Sequence, residues 1–177
     1  MTTQAITEAI GRVAAILGRK PEVGIQDDSP ATALWRGGAR VVASHPSGMQ
    51  VSTDMPSELG GSGDQVTPGW LFRAGLASCA ATSIVLAAAA EGIELTALEV
   101  SAGSRSDARG LLGMNDAGGE PVYGGPSDVT VKVRIAASRV DPARLRALVN
   151  AALRHSPVPN VVTHATALSV RVDVEPG

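Results

Sequence analysis

Cys79 is the one residue in this chain whose type alone suggests covalent chemistry, and it is the only cysteine among 177 residues. A lone thiol has two roles open to it. It packs as a small hydrophobe, or it ionises and attacks an electrophile. Cys79 lies ten residues after Gly69, about three turns into an apolar helical stretch. Helix starts favour a thiolate and helix middles do not, so activation requires a cation from elsewhere. The histidines His45, His155 and His164 are dispersed, and with a single cysteine they offer no metal-ligand spacing. The glycine clusters at 37–38, 60–63 and 118–119 match neither a phosphate loop nor a dinucleotide fingerprint. No serine nucleophile elbow is present either, so neither a metal nor another cofactor is expected. Two arginines, Arg105 and Arg109, flank Asp107 and precede Leu111 and Leu112. This segment either presents a cation and an apolar wall to an organic ligand or forms an arm that completes a dimer. Trp70 and Phe72, at the start of the apolar helix, are further candidates to line a binding pocket.

Composition narrows the field. Lys and Arg number 15 against 17 Asp and Glu, and with four aromatics this gives neither a basic footprint nor a stacking platform, so nucleic acid is not expected as a partner. At 44% hydrophobic residues the chain can bury a core as one domain. One cysteine permits no intrachain disulfide, which points to a reducing cytoplasm. Glu8 and Arg12 interrupt the N-terminal apolar pattern where a signal peptide needs an unbroken run. The most apolar stretch, residues 76–90, falls short of the roughly 20 residues a bilayer requires, so it reads as a core helix and no membrane partner is expected.

The elements that must position these groups follow from periodicity. Ile6, Ile10, Val13 and Leu17 recur at helical steps, predicting an amphipathic helix within residues 1–20. Residues 33–44 read as strand broken by Gly37 and Gly38, with residues 50–53 as its antiparallel neighbour across a His45-Pro46-Ser47-Gly48 turn. A glycine- and proline-rich loop, expected to form a flexible rim, leads into a helix over 70–91 that is apolar on nearly every face. Strands follow over 95–103 and 129–135, separated by a polar excursion at 104–125 that acts as a long loop, lid or β-arm. Asp141 and Pro142 open another helix, ending near Ser156-Pro157, and alternation of Leu168, Val170, Val172 and Val174 predicts a closing strand. The result is an α+β domain, core 33–176, with antiparallel sheets wrapped around a central buried helix. A helix apolar on all sides needs walls on all sides, so a homodimer is expected.

The order Ser57-Glu58-Leu59-Gly60-Gly61, then Thr67-Pro68-Gly69-Trp70-Leu71-Phe72-Arg73 and on to Ala77-Ser78-Cys79, resembles the OsmC/Ohr family of osmotically inducible and organic hydroperoxide resistance proteins. The resemblance extends from Trp35 to Val174 and takes in His155-Ser156-Pro157-Val158. It implies an intertwined homodimer with active sites at the interface, reducing small organic hydroperoxides by cysteine chemistry at the expense of a thiol or dithiol. Cys79 takes the place of the family nucleophile. The family's activating arginine comes from the first strand region, which leaves Arg40 or Arg36, with Arg40 favoured by its spacing after Trp35. Two departures stand out. The family's resolving cysteine sits in Cys-Pro-Val, where this chain has Ser156, so a sulfenate on Cys79 would need an external thiol. The glutamate that holds the arginine is Gly69 here, leaving Glu58 or Asp64 as substitutes. His155 either serves Cys79 as a base or thiolate partner, or satisfies the last carbonyls of its helix. The leading expectation is a single-cysteine peroxidase. The alternative is a fold-retaining dimer that holds an apolar small molecule at the subunit interface.

Overall fold

The computed structural model describes residues 3–164 and 166–175. Helix α1 (Thr3–Arg19) opens the chain, followed by strands β1 (Thr32–Trp35), β2 (Val41–Ser44) and β3 (Gln50–Thr53). They pair antiparallel in the order β1-β2-β3. Gly37 and Gly38 have φ of 96° and 56°, left-handed values that turn the expected broken strand into a β1–β2 hairpin. Helix α2 (Pro68–Ala90) is next, its start fixed by Thr67, whose hydroxyl accepts the Trp70 amide at 3.2 Å, and by Pro68 at the first helical position. Gly92, φ 66°, ends it.

Strands β4 (Leu95–Arg105) and β5 (Ser127–Ala137) form a second, two-stranded antiparallel sheet. On β5, Val129, Val131, Val133 and Ile135 are half-buried while Thr130, Lys132 and Arg134 face out, the alternation the sequence carries. The excursion between these strands contains a short helix α3 (Ala108–Leu111), capped by the Asp107 carboxylate accepting the Arg109 amide at 2.9 Å. Helix α4 (Pro142–Arg154) is capped by Asp141, and α5 (Pro157–Thr163) follows at once.

The core lies where α2, α4 and the inner face of β4–β5 meet. Ala88, Leu145 and Leu148 form its centre, flanked by Ile93, Leu95 and Ile135. Along α2 the fully buried side chains Leu76, Ala80, Ile84 and Ala88 recur every four residues, so one stripe of this helix is covered rather than its whole circumference. At 23 residues α2 is long and apolar enough to cross a membrane, so length does not exclude a span. Its packing against β4, α1, α4 and α5 makes it the core helix of the fold.

Helix α5 is an element the periodicity did not reveal: the expected end of α4 near Ser156-Pro157 holds, but Pro157 starts a further helix. Two expectations require correction. Residues 168–174 are not in a strand: Leu168, Val170, Val172 and Val174 are 76–89% exposed, and among the described residues no strand pairs with them. The loop after β3 is cross-braced rather than a free rim. Asp54 accepts the Met55 and Ser62 amides at 2.8 and 3.2 Å, and the Gly61 backbone packs so closely on the Met55 carbonyl that an added Cβ would lie 1.8 Å from its oxygen.

Candidate active site around Cys79

Cys79 is half-buried on α2, on the side facing the corner between α4 and α5. Alanines dominate this helix, and their short side chains allow the corner to approach closely. Two groups meet the sulfur there, and a third backs one of them. Ser156, which is 0% exposed, places Oγ 3.3 Å from Cys79 Sγ. Ser83, one helical turn after Cys79, donates its hydroxyl to the same Ser156 Oγ at 2.9 Å. The Val158 amide, in the first turn of α5, donates to the sulfur at 3.5 Å.

The direction of these bonds has chemical content. Ser156 accepts a hydrogen bond from Ser83, so its own hydroxyl hydrogen is free to point at the sulfur. An anionic sulfur at this place then has two donors, one hydroxyl and one amide. Ser156 thus sits against the Cys79 sulfur, as the resemblance would place a resolving cysteine, but carries oxygen instead of sulfur. Sequence reasoning missed Ser83 and the Val158 amide. The i, i+4 spacing of Cys79 and Ser83 was the one signal available for either.

Arg40 lies elsewhere in the chain. It donates to Asp54 Oδ2 at 3.1 Å and to Ser62 Oγ at 2.7 Å, and it pairs with Asp64. Asp64 therefore takes the role suggested for it, Glu58 does not, and Asp54 is a partner the sequence did not reveal. The Asp54 side chain is 4% exposed, and hydrogen bonds from Ser62, then Met55 and Arg40, hold its carboxyl far below the usual range. These carboxylates raise the Arg40 pKa still further, chiefly through the Asp54 bond, so it is a permanent cation. Within one chain Arg40 and Cys79 are not brought together, because the arginine fork is engaged by the loop after β3.

The other candidates are also placed. Arg36 is exposed and contributes its amide to the β1–β2 turn, donating to the Arg40 carbonyl at 2.9 Å. His155 is exposed at the end of α4, where its amide caps the helix; its ring borders a depression of about 280 Å³ with Ser83 and Leu86 but does not bond the sulfur. Trp70 is half exposed on the first turn of α2, away from Cys79. Phe72 lines a cavity at that end of the helix, described below. Arg109 grips Asp107 through Nε and Nη2 at 3.1 and 2.6 Å, so its charge is committed locally. Among the described residues no three His, Cys, Asp or Glu side chains gather as a metal site.

Comparison with known proteins gives the family and the fold. Residues 61–171 match the profile of a family described as OsmC-like protein. An OsmC-like protein from Mycoplasma pneumoniae superposes with a TM-score of 0.65 at 16% identity, covering 80% of this chain and 91% of the other. An organic hydroperoxide resistance protein from Legionella pneumophila gives 0.56 at 24% identity, covering 78% and 90%. Another from Elizabethkingia anophelis, crystallised with thiocyanate, gives 0.57 at 20%, covering 80% and 91%. No curated protein matches the sequence.

Proposed function

The chain belongs to the OsmC-like protein family, and from that premise we propose that it reduces organic hydroperoxides with Cys79 as its one redox centre. The observation that carries this reading is the contact of Cys79 Sγ with Ser156 Oγ at 3.3 Å, backed by the Val158 amide. Solved structures described as organic hydroperoxide resistance proteins share the fold and support it.

In the proposed reaction the Cys79 thiolate attacks the terminal peroxide oxygen of ROOH. The sulfur–oxygen bond forms as the oxygen–oxygen bond breaks, and the departing alkoxide takes a proton to leave as ROH. Cys79 is then a sulfenic acid. Ser156 bears a hydroxyl, so no internal disulfide resolves it, and an external thiol attacks the sulfenyl sulfur to give a mixed disulfide and water. A second thiol releases the disulfide of the reductant and restores the Cys79 thiolate. One dithiol can supply both steps. A single thiol whose redox state must persist between turnovers suits a reducing compartment, the cytoplasm.

The reading includes a homodimer. Two features support it: the uncovered flanks of α2 and the unpaired alternating segment 168–174, which pairs with a sheet edge of a second copy. Arg40, held by Asp54 and Asp64, is assigned to activate peroxide across that interface, since its own chain does not bring it to Cys79.

The test is stopped-flow oxidation by cumene hydroperoxide and by hydrogen peroxide, with mass-spectrometric trapping of the sulfenate and Cys79→Ser as control. Fast, saturable oxidation that prefers the organic peroxide is the expected result. Oxidation no faster than that of a free thiol overturns the reading.

A further inference from the structure

We propose that the cavity at the N-terminal end of α2 binds a small organic carboxylate, with Arg73 as the group that receives the anion. The cavity encloses about 480 Å³, within the range of small-molecule sites. Its walls are apolar: Met55 and Leu59 come from the loop after β3, Phe72 from α2, Leu111 from α3 and Pro126 from the segment leading into β5.

Into this space α2 delivers a half-buried guanidinium with no carboxylate paired to it among the described residues. Arg73 Nη1 donates to Ser104 Oγ at 3.4 Å, a long bond to a neutral acceptor. A cation against apolar walls ordinarily has an anion for company. Among the described residues Asp107 is the only acidic one on the cavity wall, and the Arg109 side chain already neutralises it through three bonds. One turn before Arg73, Gly69 leaves room open: a Cβ there would lie 3.7 Å from Arg73 Nη1 and 3.9 Å from the Thr67 hydroxyl oxygen. The position where a side chain would shield the guanidinium is vacant, so the space beside the cation is available to a ligand.

The arrangement selects a chemical class. A guanidinium fork matches the two oxygens of a carboxylate, and a single cation balances a single negative charge. A phosphate would require more donors than Arg73 and the Thr67 hydroxyl provide. The apolar walls take up a hydrocarbon body, so the fitting ligand is an amphipathic monocarboxylic acid. Arg73 precedes Cys79 by six residues, about 9 Å along the helix axis. Binding here does not require sulfur chemistry, and the test contains no peroxide.

The experiment is calorimetric titration of the full chain with octanoate and with octanol, which has the same chain length but no charge. Octanoate is expected to bind saturably, one per chain and about tenfold or more tighter than octanol. Arg73→Gln should reduce octanoate to the affinity of octanol and leave octanol unchanged. Gly69→Glu, which offers Arg73 an internal carboxylate, should weaken octanoate about tenfold while keeping the helical circular dichroism of the parent. Equal affinity for the two probes, octanoate binding indifferent to both substitutions, or no saturable binding at millimolar octanoate would each overturn the proposal.

Discussion

Ser156 Oγ stands 3.3 Å from Cys79 Sγ although the two residues are 77 positions apart in the chain. Each is fixed by its own element, the sulfur on α2 and the hydroxyl in the turn between α4 and α5. The contact therefore reports the register of these elements, and exchanging the hydroxyl for a thiol tests that register. Ser156→Cys should form a disulfide with Cys79 on mild oxidation, visible as a loss of two hydrogens in intact mass. Closing so long a loop should raise stability against urea by roughly 4 kcal/mol over the reduced form. Failure to bridge would mean that α2 and the corner are offset from the positions described.

Ser83→Ala removes the donor that orients Ser156. If the hydroxyl pair supports the anionic sulfur, peroxide oxidation of Cys79 should slow by about tenfold in Ser156→Ala, the scale of one hydrogen bond to a charged group, and by less in Ser83→Ala. The double variant should be no slower than Ser156→Ala alone, because Ser83 acts through Ser156. Additive effects in stopped-flow rates would refute the relay.

Acid should destabilise the fold through identifiable carboxylates. Asp54 is held far below 3.8, first by Ser62, and Asp107 is lowered to about 2, first by Arg109. A carboxyl whose folded value is depressed stabilises the protein above its unfolded value, near 4, and loses that contribution as pH falls through the folded one. Urea midpoints should thus be level from pH 7 to about 5 and drop as pH falls from roughly 4 to 2. Asp54→Asn should lower the midpoint at pH 7 and flatten the acid limb. An unchanged acid limb would remove Asp54 as its source.

Gly61→Ala should destabilise the protein by about 1–3 kcal/mol, the usual cost of forcing atoms into a packed site. The added Cβ meets the Met55 carbonyl oxygen at 1.8 Å, so the backbone must move, and with it the carboxylate that holds Arg40. Thermal melts of this variant and of Gly60→Ala, whose Cβ meets nothing within 4 Å, separate crowding from the strain that a left-handed φ of 80° adds at Gly60.

Deleting residues 165–177 should convert the proposed dimer into a monomer, as read by light scattering, because residues 168–174 have no strand partner among the described residues of their own chain. A dimer that survives the deletion would place the interface on the flanks of α2 instead.

Local rules made most of the architecture legible. Thr67 and Pro68 start α2, Asp141 and Pro142 start α4, and the alternating valines of β5 reveal its buried face, all through signals within a few residues of one another. Cys79 with Ser156 was also legible, as paired positions of a family motif. What escaped depends on packing between distant segments. Asp54 looks like any loop aspartate until Ser62 and Arg40 fold over it, and Arg73 looks like a solvated helix residue until the excursion around α3 closes a cavity above it. The strand expected at 168–174 failed for a related reason: alternation describes which face a strand will bury, but not whether its own chain supplies the neighbour.

The placement of Cys79 and its partners also orders events during synthesis. The ribosome makes the sulfur-bearing helix first, and Ser156 and Val158 emerge only after another 77 to 79 residues. At common elongation rates that interval is roughly 4 to 15 s. Through it the thiol has neither hydroxyl nor amide directed at it, and these contacts form only when the final fifth of the polypeptide docks. A truncated or stalled product therefore carries the cysteine without the hydroxyl and the amide that meet it in the folded chain.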